Sequence, residues 1–131
     1  MINFIGSAER WELLMKTVLV VDDSAIMRRF IRNSIDHNGF DVIGEADSGR
    51  VGVDKFIELK PDIVTMDVTM REMSGIEALQ EIIKIDADAK VLMISAMGQE
   101  IIVRDAIMMG AKGFIVKPFN DEQLISALKK A

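Results

Sequence analysis

Cysteine is absent from this 131-residue chain, which excludes disulfide staples and thiolate-bound zinc alike. Histidine occurs once, at His37, so no pair of imidazoles can build a metal site. His37 itself is expected to be solvated near the end of a helix, where the dipole favours it. No apolar stretch approaches the roughly 20 residues that a bilayer crossing needs. Residues 1–14 carry no cationic start followed by an apolar segment, as a secretory signal would. Excess positive charge is lacking too. A net charge of −5 and a pI near 4.9 argue against nucleic acid or an anionic membrane as the main partner. The cytoplasm is the expected location.

Half of the residues are hydrophobic and 28% are charged, the balance of a globular chain, and the length suits one domain with a real core. From Thr17 onward two patterns alternate. The apolar runs 18–21, 63–66, 91–94 and 114–116 are rich in β-branched residues and do not alternate with polar ones, as in parallel strands buried on both faces; 41–46 is a weaker fifth. Between them, amphipathic periodicity predicts helices over 24–38, 48–59, 75–85, 99–109 and 121–130. Ser24, Ser48 and Asn120 suit helix starts, and Gly39 and Gly110 suit helix ends. Five βα units in tandem predict an α/β fold: a flavodoxin-like, doubly wound, five-stranded parallel sheet of order 2-1-3-4-5. The domain spans 17–131, with no separate output domain expected. Residues 1–16 stand outside the pattern. A short amphipathic helix over 8–15, with Trp11, Leu14 and Met15 on one side, is one reading. Met15-Lys16-Thr17 also reads as a natural start, with 1–14 translated from an upstream start codon.

The apolar runs end on polar residues: Asp22-Asp23, Asp67, Ser95 and Lys117-Pro118. In a parallel sheet all of these meet at the carboxyl edge, where such sheets bind ligands. Taken singly, each has an ordinary explanation as a cap, a turn residue or a lysine reaching for solvent. Together they fit one site. Adjacent carboxylates repel unless a cation intervenes, and a hard divalent ion such as Mg²⁺ binds through oxygen. Beside it Asp67 is a candidate nucleophile toward phosphorus. An ammonium at the end of an apolar strand, Lys117, demands an anionic partner, and a cis Lys117-Pro118 bond would aim it.

The set Asp22-Asp23-Ser24, Asp67, Ser95-Ala96 and Lys117-Pro118-Phe119 resembles the receiver domain of two-component response regulators, above all the single-domain chemotaxis type, from about Thr17 to Lys130. That resemblance implies that Asp67 accepts a phosphoryl group from a CheA-like sensor histidine kinase. It implies Mg²⁺ held by Asp23, by Asp22 largely through water, by Asp67 and by the backbone carbonyl of Thr69. Lys117 and the Ser95 hydroxyl would contact the phosphoryl group, as would the backbone amides of Val68 and Ala96. Ser95 and Phe114 would form the switch pair. The readout surface would be helix 4, strand 5 and helix 5, with Gln99, Ile102, Lys112, Phe114 and Gln123. It would serve a target such as a flagellar motor switch protein, with a phosphatase as a further partner and a monomer as the working state. The chain would catalyse its own phosphorylation and slow dephosphorylation without being an enzyme on a diffusible substrate.

Two departures stand out. Arg71 occupies the place where the family usually has proline, which loosens the expected loop but removes no catalytic group. Thr69 and Met97 fall where the family tunes hydrolysis, and neither offers a carboxylate or amide to orient water, so a long-lived phosphoryl group is expected. A phosphorelay intermediate, or another stand-alone regulator, is the alternative within the same chemistry. A flavin module would need a phosphate loop where Asp22-Asp23 stands. A dehalogenase-type phosphatase would need an acid two residues after Asp67, where Thr69 stands.

Overall fold

Every apolar run pairs with its neighbours in the computed structural model, which describes residues 15–131. Strands β1 (Lys16–Val21), β2 (Phe40–Ala46), β3 (Ile63–Asp67), β4 (Lys90–Ser95) and β5 (Gly113–Val116) form one parallel sheet in the order β2-β1-β3-β4-β5. The predicted order is the observed one. Helices α1 (Ala25–Ile35), α2 (Gly49–Leu59), α3 (Gly75–Ile85), α4 (Glu100–Met109) and α5 (Asp121–Lys130) connect and follow the strands. The expected N-terminal helix with Trp11 lies outside the described residues, apart from Met15.

Alternate residues of each central strand feed two cores. Val18, Val20, Leu92 and Ile94 pack with Ile31 and Ile35 of α1 and with Leu124 and Leu128 of α5. Leu19, Val21, Val64 and Met93 pack on the opposite face with α2, α3 and Ala106 of α4. Both faces of β1, β3 and β4 are therefore dry, which is why those runs need no polar alternation.

Helix starts follow the predicted caps. Ser24 accepts from the Met27 amide at 3.2 Å, Ser48 from Val51 at 3.2 Å and Asn120 from Gln123 at 2.8 Å. Ser74 adds a reciprocal pair with Glu77 that fixes α3 directly behind the site loop. One boundary differs from expectation. Helix α1 stops at Ile35 rather than 38, because Asp36 turns extended and bridges to Phe40, and His37 takes a left-handed φ of 67°. His37 thus lies in the turn beyond the helix, with its ring in solvent. Strand β5 also departs from the doubly buried reading. It is an edge strand, so Ile115 is buried while Phe114 and Val116 are exposed.

Candidate functional site

The carboxyl ends of β1, β3, β4 and β5 deliver Asp22, Asp67, Ser95 and Lys117 to one edge of the sheet. Asp22 is fully buried. One of its oxygens accepts from the Ser24 amide at 2.8 Å, while Oδ2 has no hydrogen-bond partner. Arg28, one turn into α1, donates to the Asp22 carbonyl at 2.7 Å and to Glu45 at 3.3 Å, which pins the β1 end against β2. Asp23 is exposed beside it.

Asp67 is only 6% exposed. The strand reading ended at Met66, but β3 includes Asp67 because the Val68 amide continues the ladder onto the Ile94 carbonyl at 2.9 Å. Lys117 Nζ lies 3.5 Å from Asp22 Oδ2 and 3.5 Å from Asp67 Oδ1. The bond from Lys117 to Pro118 is cis, and the Lys117 amide donates to the Ser95 carbonyl at 2.8 Å. Ser95 is buried at the adjoining strand end.

Electrostatically the cleft is short of cations. One oxygen from each of Asp22, Asp23 and Asp67 lies within 4.8 Å of the others. Burial, then repulsion from Asp22, push the Asp67 carboxyl up to about 6, against the pull of Lys117. Three oxygen donors, one of them buried and without a hydrogen bond, are the chemistry of a hard divalent cation. The residues present fit that group.

Other expected positions sort themselves by contact. The Val68 amide was expected at the phosphoryl group. It donates to the Ile94 carbonyl at 2.9 Å here, so the chain stays hydrogen-bonded one residue beyond Asp67. Ala96 is exposed, and its amide donates to Gln99 Oε1 at 2.7 Å. Thr69 is exposed, and its hydroxyl accepts from Gln99 Nε2 at 2.8 Å. Phe114 is 51% exposed, which rules out a plain core role. Its ring borders an apolar groove of about 350 Å³ with Ser95, Ala96, Val103 and Ile107. Of the methionines in α4, Met108 is exposed and Met109 packs on the core.

The loop after Asp67 is held without a proline. Met70 and Met73 anchor it in the core, and the Gly75 amide donates to the Val68 carbonyl at 2.9 Å. A Cβ on Gly75 would lie 2.0 Å from the Asp67 carbonyl oxygen. Gly75 and Arg28 were not read as site residues, and Gln99 was read only as part of the readout surface. Arg28 sits in an ordinary helix pattern and Gly75 behind a loop, so only the tertiary contact reveals them.

Together this sheet edge and this carboxylate cluster define a class. The chain belongs to the response regulator receiver domain family, which matches residues 18–129. Its relatives narrow the class to chemotaxis. The chemotaxis protein CheY of Thermotoga maritima is 55% identical over 115 residues, 88% of this chain and 96% of that protein. CheY of Bacillus subtilis is 52% identical over 113 residues, 86% of this chain and 94% of that one. Among solved structures, the CheX–CheY complex of Borrelia burgdorferi with BeF3 and magnesium superposes with a TM-score of 0.83 at 38% identity, covering 86% of each chain. By these matches the chain is a phosphorylation-switched signalling protein of the chemotaxis class. Among the described residues, no helix is long and apolar enough to cross a membrane.

Proposed function

We propose that Asp67 is the phosphoacceptor of a cytoplasmic chemotaxis regulator, charged by a CheA-like histidine kinase. The observation that carries this reading is the lysine-bracketed, buried Asp67 facing two further carboxylates. In the transfer, a carboxylate oxygen of Asp67 forms the new O–P bond as the kinase's N–P bond breaks, and the imidazole keeps the electron pair. Asp67 must be ionised to attack. Without metal its carboxyl stands at about 6, so it is ionised at neutral pH.

Asp22, Asp23, Asp67 and the Thr69 carbonyl would hold Mg²⁺, which supplies the charge that lets an anionic nucleophile meet an anionic phosphoryl group. Lys117 already stands 3.5 Å from Asp67, where its ammonium can neutralise the oxygens of the product. The Ser95 hydroxyl supplies one further donor from the next strand end. Catalysis is positioning and electrostatics, so the regulator assists its own phosphorylation and the slow hydrolysis that follows.

Output runs through the face built by α4, β5 and α5. When Ser95 turns toward the phosphoryl group, the groove beside it can admit the Phe114 ring, and the surface with Ile102, Lys112 and Gln123 changes shape. A flagellar motor switch protein is the target this reading favours, with a phosphatase as an additional partner and a monomer as the working state. The relative from Borrelia burgdorferi is itself held in a protein complex, with CheX.

A transfer experiment tests the reading. Label on the histidine of a chemotaxis kinase should move to this chain with Mg²⁺ and remain on the kinase when Asp67→Asn is offered. Transfer to Asp67→Asn at the wild-type rate would refute the assignment.

A further inference from the structure

Gln99 precedes α4 but does not cap it: its side chain makes no hydrogen bond to the helix's free amides. Its carboxamide reaches across the site instead. The oxygen accepts from the Ala96 amide at 2.7 Å, and the nitrogen donates to the Thr69 hydroxyl at 2.8 Å. One side chain thereby ties the loop after β4 to the loop after β3. Its backbone belongs to the helix, since the Gln99 carbonyl accepts from Val103 at 3.0 Å.

We infer that Gln99 is a built-in competitor of the phosphoryl group, occupying the Ala96 donor until phosphorylation displaces it. The inference rests on Asp67 being the phosphoacceptor. Ser95 precedes Ala96 at the end of the strand beside Asp67, so a phosphoryl group that takes the Ser95 hydroxyl lies next to the Ala96 amide. Both acceptors cannot hold one N–H. A phosphoryl oxygen carries charge and makes a bond about twice as strong as that of a neutral carboxamide, so it wins. The loser is attached to α4. Released from Ala96 and Thr69, Gln99 frees both the start of that helix and the β3 loop. The site therefore signals to the α4 face through Gln99 as well as through Phe114. Gln99 touches neither Asp67 nor Lys117 by any hydrogen bond in the structure, so it is a positioning residue.

The prediction is counter to that for a ligand-binding residue. Removing the competitor should tighten binding, by about five-fold for one neutral hydrogen bond. A carboxylate in its place holds the amide harder and repels the incoming anion, so Gln99→Glu should weaken binding on the order of ten-fold. The probe is beryllofluoride, titrated calorimetrically in Mg²⁺ into the full chain, Gln99→Ala, Gln99→Glu and Asp67→Asn. The Ala96 amide is followed by NMR in parallel. Its signal should differ between wild type and Gln99→Ala without ligand and converge at saturation, which a merely structural glutamine would not produce. Uptake that Asp67→Asn abolishes, with Gln99→Ala binding no tighter than wild type, overturns the competition and leaves the acceptor standing. An Ala96 difference that persists at saturation overturns it as well. Absence of uptake in every chain, wild type included, overturns both.

Discussion

Replacing Asp67 should stabilise the metal-free protein. In Asp67→Asn, a carboxylate that is 6% exposed and faces Asp22 and Asp23 becomes a neutral amide of the same shape. The Asp67 carboxyl rises from 3.8 to about 6 on folding, mainly through burial and then through Asp22. At about 1.36 kcal/mol per tenfold change in proton affinity, the ionised form costs the folded state about 3 kcal/mol. The pull of Lys117 is already contained in that value, but the cleft opens to water beside exposed Asp23, so about 2 kcal/mol is the expected net effect. The sign follows from linkage. Below about pH 4 the carboxyl is protonated in both states and contributes nothing. Between 3.8 and about 6 the folded state binds the extra proton, so stability falls as pH rises, and above about 6 the full penalty applies. Urea unfolding in a chelator, followed by far-ultraviolet circular dichroism because the one tryptophan, Trp11, lies outside the described residues, should therefore show Asp67→Asn more stable by about 2 kcal/mol near pH 8. The gap should close near pH 4. A variant no more stable than wild type near pH 8, or a gap independent of pH, would refute the argument.

Three further outcomes follow from the same geometry. Lys117→Met removes the one cation within 4.0 Å of the Asp22 and Asp67 carboxylates among the described residues, and should lower metal-free stability by about 1–3 kcal/mol near neutral pH. Combining it with Asp67→Asn should recover part of that loss, and a purely additive double variant would contradict the coupling. Gly75→Ala forces a methyl to within 2.0 Å of the Asp67 carbonyl oxygen, a backbone atom that has no rotamer to yield, so a loss of at least about 2 kcal/mol in urea is expected. An unchanged midpoint would show that the loop gives way. Met97 is exposed and offers no hydrogen bond to orient water, so Met97→Glu should release phosphate from the acyl phosphate several-fold faster than wild type. Equal lifetimes, measured by phosphate release after the donor is removed, would contradict that reading.

The strand cores could be read from sequence because Val18-Leu19-Val20-Val21 and its counterparts are rich in β-branched residues, do not alternate with polar ones and are separated by stretches of helical periodicity. Their polar ends then placed Asp22, Asp67, Ser95 and Lys117 at one edge without any knowledge of contacts. Boundaries held where a side chain enforces them, as Ser24 and Asn120 do. They slipped where backbone conformation decides. Gly39 drew the α1 boundary too far, because the left-handed His37 carries no pattern of its own. Edge position is likewise silent in a three-residue apolar run, so Phe114 and Val116 looked buried until β5 was placed at the side of the sheet. Contacts between loops are the least readable. That Val68 spends its amide on Ile94, and that Gln99 joins Ala96 to Thr69, are consequences of tertiary register.

Intact-protein mass spectrometry after incubation with a small phosphodonor tests the central claim most directly. The expected result is one added phosphoryl group that requires Mg²⁺ and is absent from Asp67→Asn. An adduct that survives in Asp67→Asn, or forms equally well in a chelator, would contradict the assignment of this carboxylate as the metal-assisted acceptor.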